Sequence, residues 1–193
     1  MYVSLFVEVL LDIDAVIIVD YNPQWPSMYE QEKTRIQSVI GEYLIDIQHV
    51  GSTSIPGLSA KPIIDIMAVI RNISFVEQCV KPLEALDYAY KGEGGIPGRH
   101  FFRKPTDIPR TGRTFHMHMV EKGHEQWAMY QLFREYLRLH PESVQQYDTL
   151  KRELAAKHGA DREAYTDAKA PFIRSILRAA VIEAMHEKKK SVE

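Results

Sequence analysis

A chain of 193 residues, 45% of them hydrophobic, is long enough to bury a full core and sits near the upper end of what one domain usually holds; one compact unit with a helical lobe is expected. Its 24 Lys and Arg against 26 Asp and Glu leave a formal net charge of −2, which excludes a global field drawing the protein to nucleic acid or an anionic membrane. Any phosphate binding must come from a local patch, and the single cysteine, Cys79, excludes an internal disulfide and reads as a buried spectator beside Phe75, Val76 and Leu83.

The first residues are apolar, yet no Lys or Arg precedes the apolar run, and Glu8, Asp12 and Asp14 interrupt it short of the about 20 residues a spanning helix needs. Neither a signal peptide nor a membrane anchor is expected, and the cytoplasm is the default compartment. Residues 1–18 form an extension, with a strand over 15–19 leading into an α/β core over 19–123. Ser27 and Glu30 make a capping box after Pro26, which predicts a helix over about 28–41. A strand over 44–50 runs into a turn at Gly51, Ser52, Thr53 and Ser54, and a buried strand rich in Ile and Val follows over 62–70. Helical spacing covers 74–87.

Four glycines and a proline within 92–98 mark a turn. Short strands follow at 100–103 and 114–120, and from Glu125 the pattern is helical. Pro141 and Gly159 bracket one helix, and the last runs over about 162–185. The C-terminal lobe spans 124–187, packed on the core, and 188–193 is a solvated lysine-rich tail. This order fits an α/β (α+β) fold, a mixed sheet flanked by helices.

His49, Val50, Gly51 and Ser52, followed thirteen residues after Ser52 by Asp65, form the most informative constellation. It resembles the signature of the nucleotidyltransferase superfamily, which includes DNA polymerase beta. In that pattern a strand ends in Gly-Ser, whose backbone N–H groups approach a triphosphate, and the next strand presents carboxylates to a divalent metal. Phosphoryl transfer is catalysed by positioning and charge neutralisation, so such a site needs donors for phosphate oxygens and anions for metal.

A narrower resemblance, over about residues 19–180, is to the GrpB-like family of small bacterial proteins. Tyr21, Pro23 and Trp25 carry it, with His49 to Thr53, Pro56-Gly57-Leu58, the run from Ala60 to Ile66, His116-Met117-His118 and Phe133-Arg134-Glu135-Tyr136-Leu137; Tyr147, Lys151, Tyr165 and Lys169 complete it. The resemblance implies a nucleotidyltransferase-like fold. The family is also found joined to dephospho-coenzyme A kinase, which points toward nucleotide or coenzyme A metabolism, although this chain has no Gly-x-x-x-x-Gly-Lys-Ser/Thr loop.

One position departs from the superfamily: two residues after Asp65, where an acid is usual, stands Met67, and a thioether is a poor ligand for Mg²⁺. His116 and His118 offer a replacement. In period-2 alternation Phe115, Met117 and Met119 take one face and the two histidines the other, aimed at Asp65 if the strands are adjacent. Metal binding, phosphate binding and a half-exposed strand are all compatible with the pair. A divalent metal (Mg²⁺, Mn²⁺ or Zn²⁺) is the cofactor expected, with Asp65, His116 and His118 as ligands and catalytic residues.

Gly51, Ser52, Thr53, Ser54, Lys61, Arg99 and Arg103 are the candidate phosphate-binding residues. The last two belong to a basic cluster with His100, Lys104, Arg110 and Arg113 beside the glycine-rich loop. Arg134, Lys151, Tyr165 and Lys169 read either as the lobe's contribution to the cleft edge or as packing residues, and Phe133, Tyr136 and Leu137 as core. The partner expected is a nucleotide or phosphorylated small molecule, since no basic stripe with interleaved aromatics announces nucleic acid. Two functions fit: a metal-dependent nucleotidyltransferase-like enzyme, or a catalytically degenerate binding module or regulatory partner, which Met67 favours.

Overall fold

The first long helix, α1 (Trp25–Ile40), starts earlier than the Ser27 capping box predicts. Asn22 Oδ1 accepts the Gln24 N–H at 2.9 Å, and Pro26 occupies the first turn, where a missing N–H costs nothing. Ser27 therefore lies inside the helix, and its Oγ donates to Gln24 O instead of capping. Trp25, Tyr29, Glu32, Ile36 and Ile40 recur at helical spacing and form the buried face of α1. These relations come from a computed structural model that describes residues 16–104 and 114–190; Arg110, Arg113, most of the N-terminal extension and the last three residues lie outside the described residues.

Among the described residues five strands make one mixed sheet in the order β1-β2-β5-β4-β3, with β1 Leu44–Val50, β2 Ile63–Ile70, β3 Ala89–Tyr90, β4 Arg99–Lys104 and β5 Thr114–Glu121. The β2–β5 pair is parallel; its crossover runs through α2 (Val76–Glu84), β3 and β4, and the other pairs are antiparallel. The helix expected over 74–87 is shorter, because a 3₁₀ turn takes Ile73–Phe75 and the chain leaves the helix two residues after Pro82. Of the strand expected over 15–19, the described part makes an isolated bridge from Val19 to Ala60.

The sheet is covered on both faces. Ile64, Ile66, Ala68 and Ile70 of β2, with Phe115, Met117 and Met119 of β5, pack under α1 and α2. Cys79 is in this core, as expected, and burial followed by the nearby Glu42 pushes its thiol up to about 11. On the other face Val50, Met67, Val69 and Val120 lie beneath Trp127 and Tyr130 of α3 (Glu125–Leu139). The helices α4 (Pro141–His158) and α5 (Arg162–Lys190) complete a lobe whose own core joins Leu137, Tyr147 and Ile176 to Ile55 and Leu58. The last helix continues through the lysines expected to form a free tail.

Candidate functional site

The site grows from the short connection between β1 and β2. Gly51 takes φ 71° and ψ −173°, and a Cβ at that position would meet Asp65 Oδ2 at 2.5 Å. Only glycine lets the turn approach the carboxylate this closely. A 3₁₀ turn, Ser52–Ser54, follows. Its hydroxyls are largely committed. Ser54 Oγ donates to Gly51 O at 2.6 Å, and Thr53 Oγ1 donates to Ile63 O at 3.3 Å. The Thr53 hydroxyl therefore accepts from His49 Nε2, 2.9 Å away, and the His49 ring stacks on Tyr29 on the sheet's far side. From α3, Arg134 donates to His49 O at 2.7 Å and Arg138 to Ser54 O at 2.8 Å, which clamps both ends of the turn.

Across the sheet one register row runs Val50, Asp65, His116 and Arg103, and the next runs Gln48, Met67, His118 and Phe101. Paired residues share a face, so Asp65, both histidines, Arg99 and Arg103 all face the lobe. His116 Nδ1 lies 3.4 Å and His118 Nε2 4.0 Å from Asp65 Oδ1. Burial works to raise the Asp65 carboxyl, but the hydrogen bond from His116 and the charges of His116, His118 and Lys61 outweigh it and hold it below the usual carboxylate range. His118 is stacked between Phe101 and Tyr130, at 5.2 and 5.8 Å, and its Nδ1 is buried without a partner among the described residues. Burial lowers its imidazole to about 4 against the opposing pull of Asp65, so it is neutral at pH 7. Arg99 donates to Gly94 O at 2.7 Å, and the Nε atoms of Arg99 and Arg103 are likewise buried without partners among the described residues.

A cavity of about 140 Å³ opens between this turn and the lobe. Ser52, Thr53, Lys61, Asp65 and His116 line it from the sheet side. Lys151 of α4 and Arg162, Tyr165 and Lys169 of α5 line it from the lobe. Ser54, His118, Arg99 and Arg103 are not among the residues that line it. Lys151 is 2% exposed, and its Nζ donates to Ser59 O. Burial, with Lys169 and Arg152 adding to it and Asp148 opposing, brings its amine down to about 7. Lys169 is lowered too, by burial first, and lies 4.5 Å over the Tyr165 ring.

Sequence reasoning singled out Lys151, Tyr165 and Lys169 without assigning them to a site, and missed Arg162. A signal was present: residues 162, 165 and 169 stand at i, i+3 and i+7, one basic and aromatic helix face. No local pattern announces Lys151, because a lysine in a helix ordinarily reads as surface.

The chemistry of the donors bears on the expected metal. Among the described residues, no group of three or more His, Cys, Asp or Glu side chains is arranged to hold a metal ion. Met67, where a second carboxylate would stand, is fully buried among Val50, Val69 and Val120. The residues present do not fit a two-ion arrangement, which needs paired carboxylates.

The chain belongs to the GrpB family: a family model described as GrpB protein matches residues 15–179. The crystal structure of the conserved protein GrpB from Enterococcus faecalis is 33% identical, with a TM-score of 0.79 over 88% of this chain and 99% of that one. UPF0157 protein YqkA of Bacillus subtilis is 41% identical over 158 residues, 82% of this chain; the match spans 45% of that relative's length. Cid1 poly(U) polymerase with MgGTP bound overlays 73% of this chain and 45% of its own at a TM-score of 0.49 and 11% identity, a loose likeness. Among the described residues no helix is long and apolar enough to cross a membrane.

Proposed function

We propose that this GrpB family protein is a nucleotidyltransferase-like protein that takes a nucleotide or another phosphorylated small molecule by its phosphate end, in the cavity between the 51–54 turn and the C-terminal helices. The observation that carries the reading is the charge of that cavity. Among the described residues, Lys61, Lys151, Arg162 and Lys169 surround a space lined by one carboxylate, Asp65. Cations gathered at a partly enclosed site repel one another unless an anion lies among them, and phosphate oxygens accept from several of them at once. The volume of about 140 Å³ is below the roughly 300–1,000 Å³ of pockets that enclose drug-sized ligands, so the phosphate end enters and the rest of the molecule stays outside. In this reading Lys61, Lys151, Arg162 and Lys169 neutralise the phosphate. Ser52 and the backbone of the turn orient it, and Asp65, held ionised, keeps His116 in place.

A second reading, transfer of a nucleotidyl group to a small acceptor, rests on the approach of both imidazoles to the same oxygen, Asp65 Oδ1. For that, Asp65, His116 and His118 would have to close around one Mn²⁺ or Zn²⁺ from the positions they take here, since among the described residues no three such side chains are arranged to hold one; an ion so held would supply charge neutralisation to the phosphate.

A thermal-shift panel tests both. Common nucleotides and coenzyme A precursors are added with and without Mg²⁺, Mn²⁺ or Zn²⁺ to the wild type and to Lys169→Met, Asp65→Asn and His116→Ala. A ligand at about 100 times its dissociation constant adds roughly 2.7 kcal/mol, several degrees for a chain of this size. Stabilisation that Lys169→Met removes is the outcome expected of the binding reading. A further gain with metal, lost in Asp65→Asn and His116→Ala, is expected of the transfer reading. A wild type that no phosphorylated compound shifts would sink both.

A further inference from the structure

We propose that the cavity is built for the terminal, dianionic phosphate of a phosphomonoester, and that Lys151 takes up a proton as that phosphate enters. The inference rests on the phosphate reading above and names the ligand class and charge state for the same site.

Lys151 is a primary amine on α4, 2% exposed, donating to the carbonyl of Ser59 and lying 4.8 Å over the Tyr147 ring. The nearest acid on its own helix, Asp148, is committed elsewhere. Asp148 Oδ1 accepts the Ser59 N–H at 2.8 Å, and Oδ2 accepts from Arg152 Nε at 2.9 Å. The other charged and titratable groups around Lys151 are Arg152 on α4, Lys169, Tyr165 and Arg162 on α5, and Lys61, Asp65 and His116 on the sheet side. Cations outnumber carboxylates among them, and burial adds to the penalty on charge. The amine of the empty site therefore gives up its proton far more readily than a surface lysine does.

An entering anion reverses that balance. With the four cations charged and Asp65 ionised, the described residues that line the cavity carry three net positive charges. A dianion leaves one and stabilises the protonated amine; a monoanion does so less. Tyr165, pushed up to about 12 by burial, and Tyr147, pushed up also by burial, keep their protons throughout the neutral range and remain donors. A phosphodiester carries one negative charge and so relieves less of that excess.

Isothermal titration calorimetry on the wild-type chain decides the matter, with inorganic phosphate, sulfate and dimethyl phosphate as probes at pH 7.5. Each titration is run in two buffers of different ionisation enthalpy. Sulfate does not titrate in this range, so a proton taken up with it belongs to the protein. Phosphate and sulfate are expected to bind, dimethyl phosphate at least tenfold more weakly. Roughly half a proton or more should be taken up per sulfate, as a group titrating near neutrality requires. Lys151→Arg, checked for folding by circular dichroism, should bind sulfate without that uptake, because its guanidinium stays charged.

Sulfate binding by the wild type with no proton uptake overturns the role of Lys151, whether or not the variant folds. Dimethyl phosphate binding as tightly as phosphate overturns the monoester assignment. Either result leaves the phosphate reading standing, whereas failure of both phosphate and sulfate to bind overturns that reading as well.

Discussion

At Gly51 the backbone lies at φ 71°, ψ −173°, and a Cβ there would press on Asp65 Oδ2. Conformations of this kind cost a non-glycine residue about 1–3 kcal/mol. Gly51→Ala is therefore expected to lower the melting temperature by several degrees and to weaken phosphate-dependent stabilisation, since the turn and Asp65 must part. An unchanged melting temperature would show that the two do not approach as described. His49, on the same turn, makes a prediction about pH. Burial lowers its imidazole to about 4, with Asp65 opposing and Arg138 and Arg134 adding to the shift. The unfolded chain protonates this group near pH 6.5, but the folded chain does so only near 4. Its contribution is therefore whole above 6.5 and is lost as pH falls toward 4, on the order of 3 kcal/mol in all. His118, lowered likewise to about 4, acts with the same sign. Melting temperatures at pH 7 and pH 5 should differ less in His49→Gln than in the wild type, and an equal difference would remove His49 from the account.

Elements whose signal is repeated burial were legible in the sequence, and those decided by a single local bond were not. The alternation of Phe115, Met117 and Met119 with His116 and His118 places β5 and its two faces, and the Ile-rich run places β2, because every second side chain along them is core. Asp65 beside His116 follows from that alternation once the strands are paired. The start of α1 was misread because Asn22, not Ser27, supplies the acceptor at its head. The two-residue β3 has too little pattern to be seen at all. The cavity's lobe side was legible only in part: Lys151, Tyr165 and Lys169 were open to reading as the cleft edge or as packing, and Arg162 went unread, since these residues come from α4 and α5 and meet the turn only in the folded chain.

One contact between elements went unread for the same reason and is open to test. Lys104 of β4 donates to Glu32 of α1 at 2.8 Å, with both side chains at most 10% exposed. Removing Lys104 leaves the buried Glu32 with Arg35 alone, 3.1 Å from its other oxygen, so Lys104→Met is expected to destabilise the fold by less than the about 3–5 kcal/mol of an uncompensated buried charge, and Glu32→Gln with Lys104→Met should recover part of the loss. Urea midpoints of the two single variants and the double variant measure the coupling. Strict additivity would show that the pair does not tie α1 to β4.

For the molecule as a whole, the question is how tightly the lobe is joined to the sheet. The contacts between them are polar as well as apolar. Arg134 and Arg138 hold the 51–54 turn, Asp148 and Lys151 hold Ser59, and Arg152 reaches Asp20 at 2.5 Å. Ile55 and Leu58, from the connection between β1 and β2, sit in the lobe's own core. An element shared by two cores cannot leave one without disturbing the other, so the chain is expected to unfold as one cooperative unit. The tryptophans report the two parts separately: Trp25 lies in the core beneath α1, and Trp127 lies on α3 against the opposite face of the sheet. In urea, fluorescence of Trp127→Phe follows the first and that of Trp25→Phe the second, and their transitions should coincide. Two separated transitions would show that the lobe melts independently. Because the cavity draws its cations from both sides, added sulfate should then raise both midpoints together, in proportion to the logarithm of its concentration once the site is saturated. A rise confined to the Trp127 reporter would place the anion on the lobe alone and separate the cavity into unrelated halves.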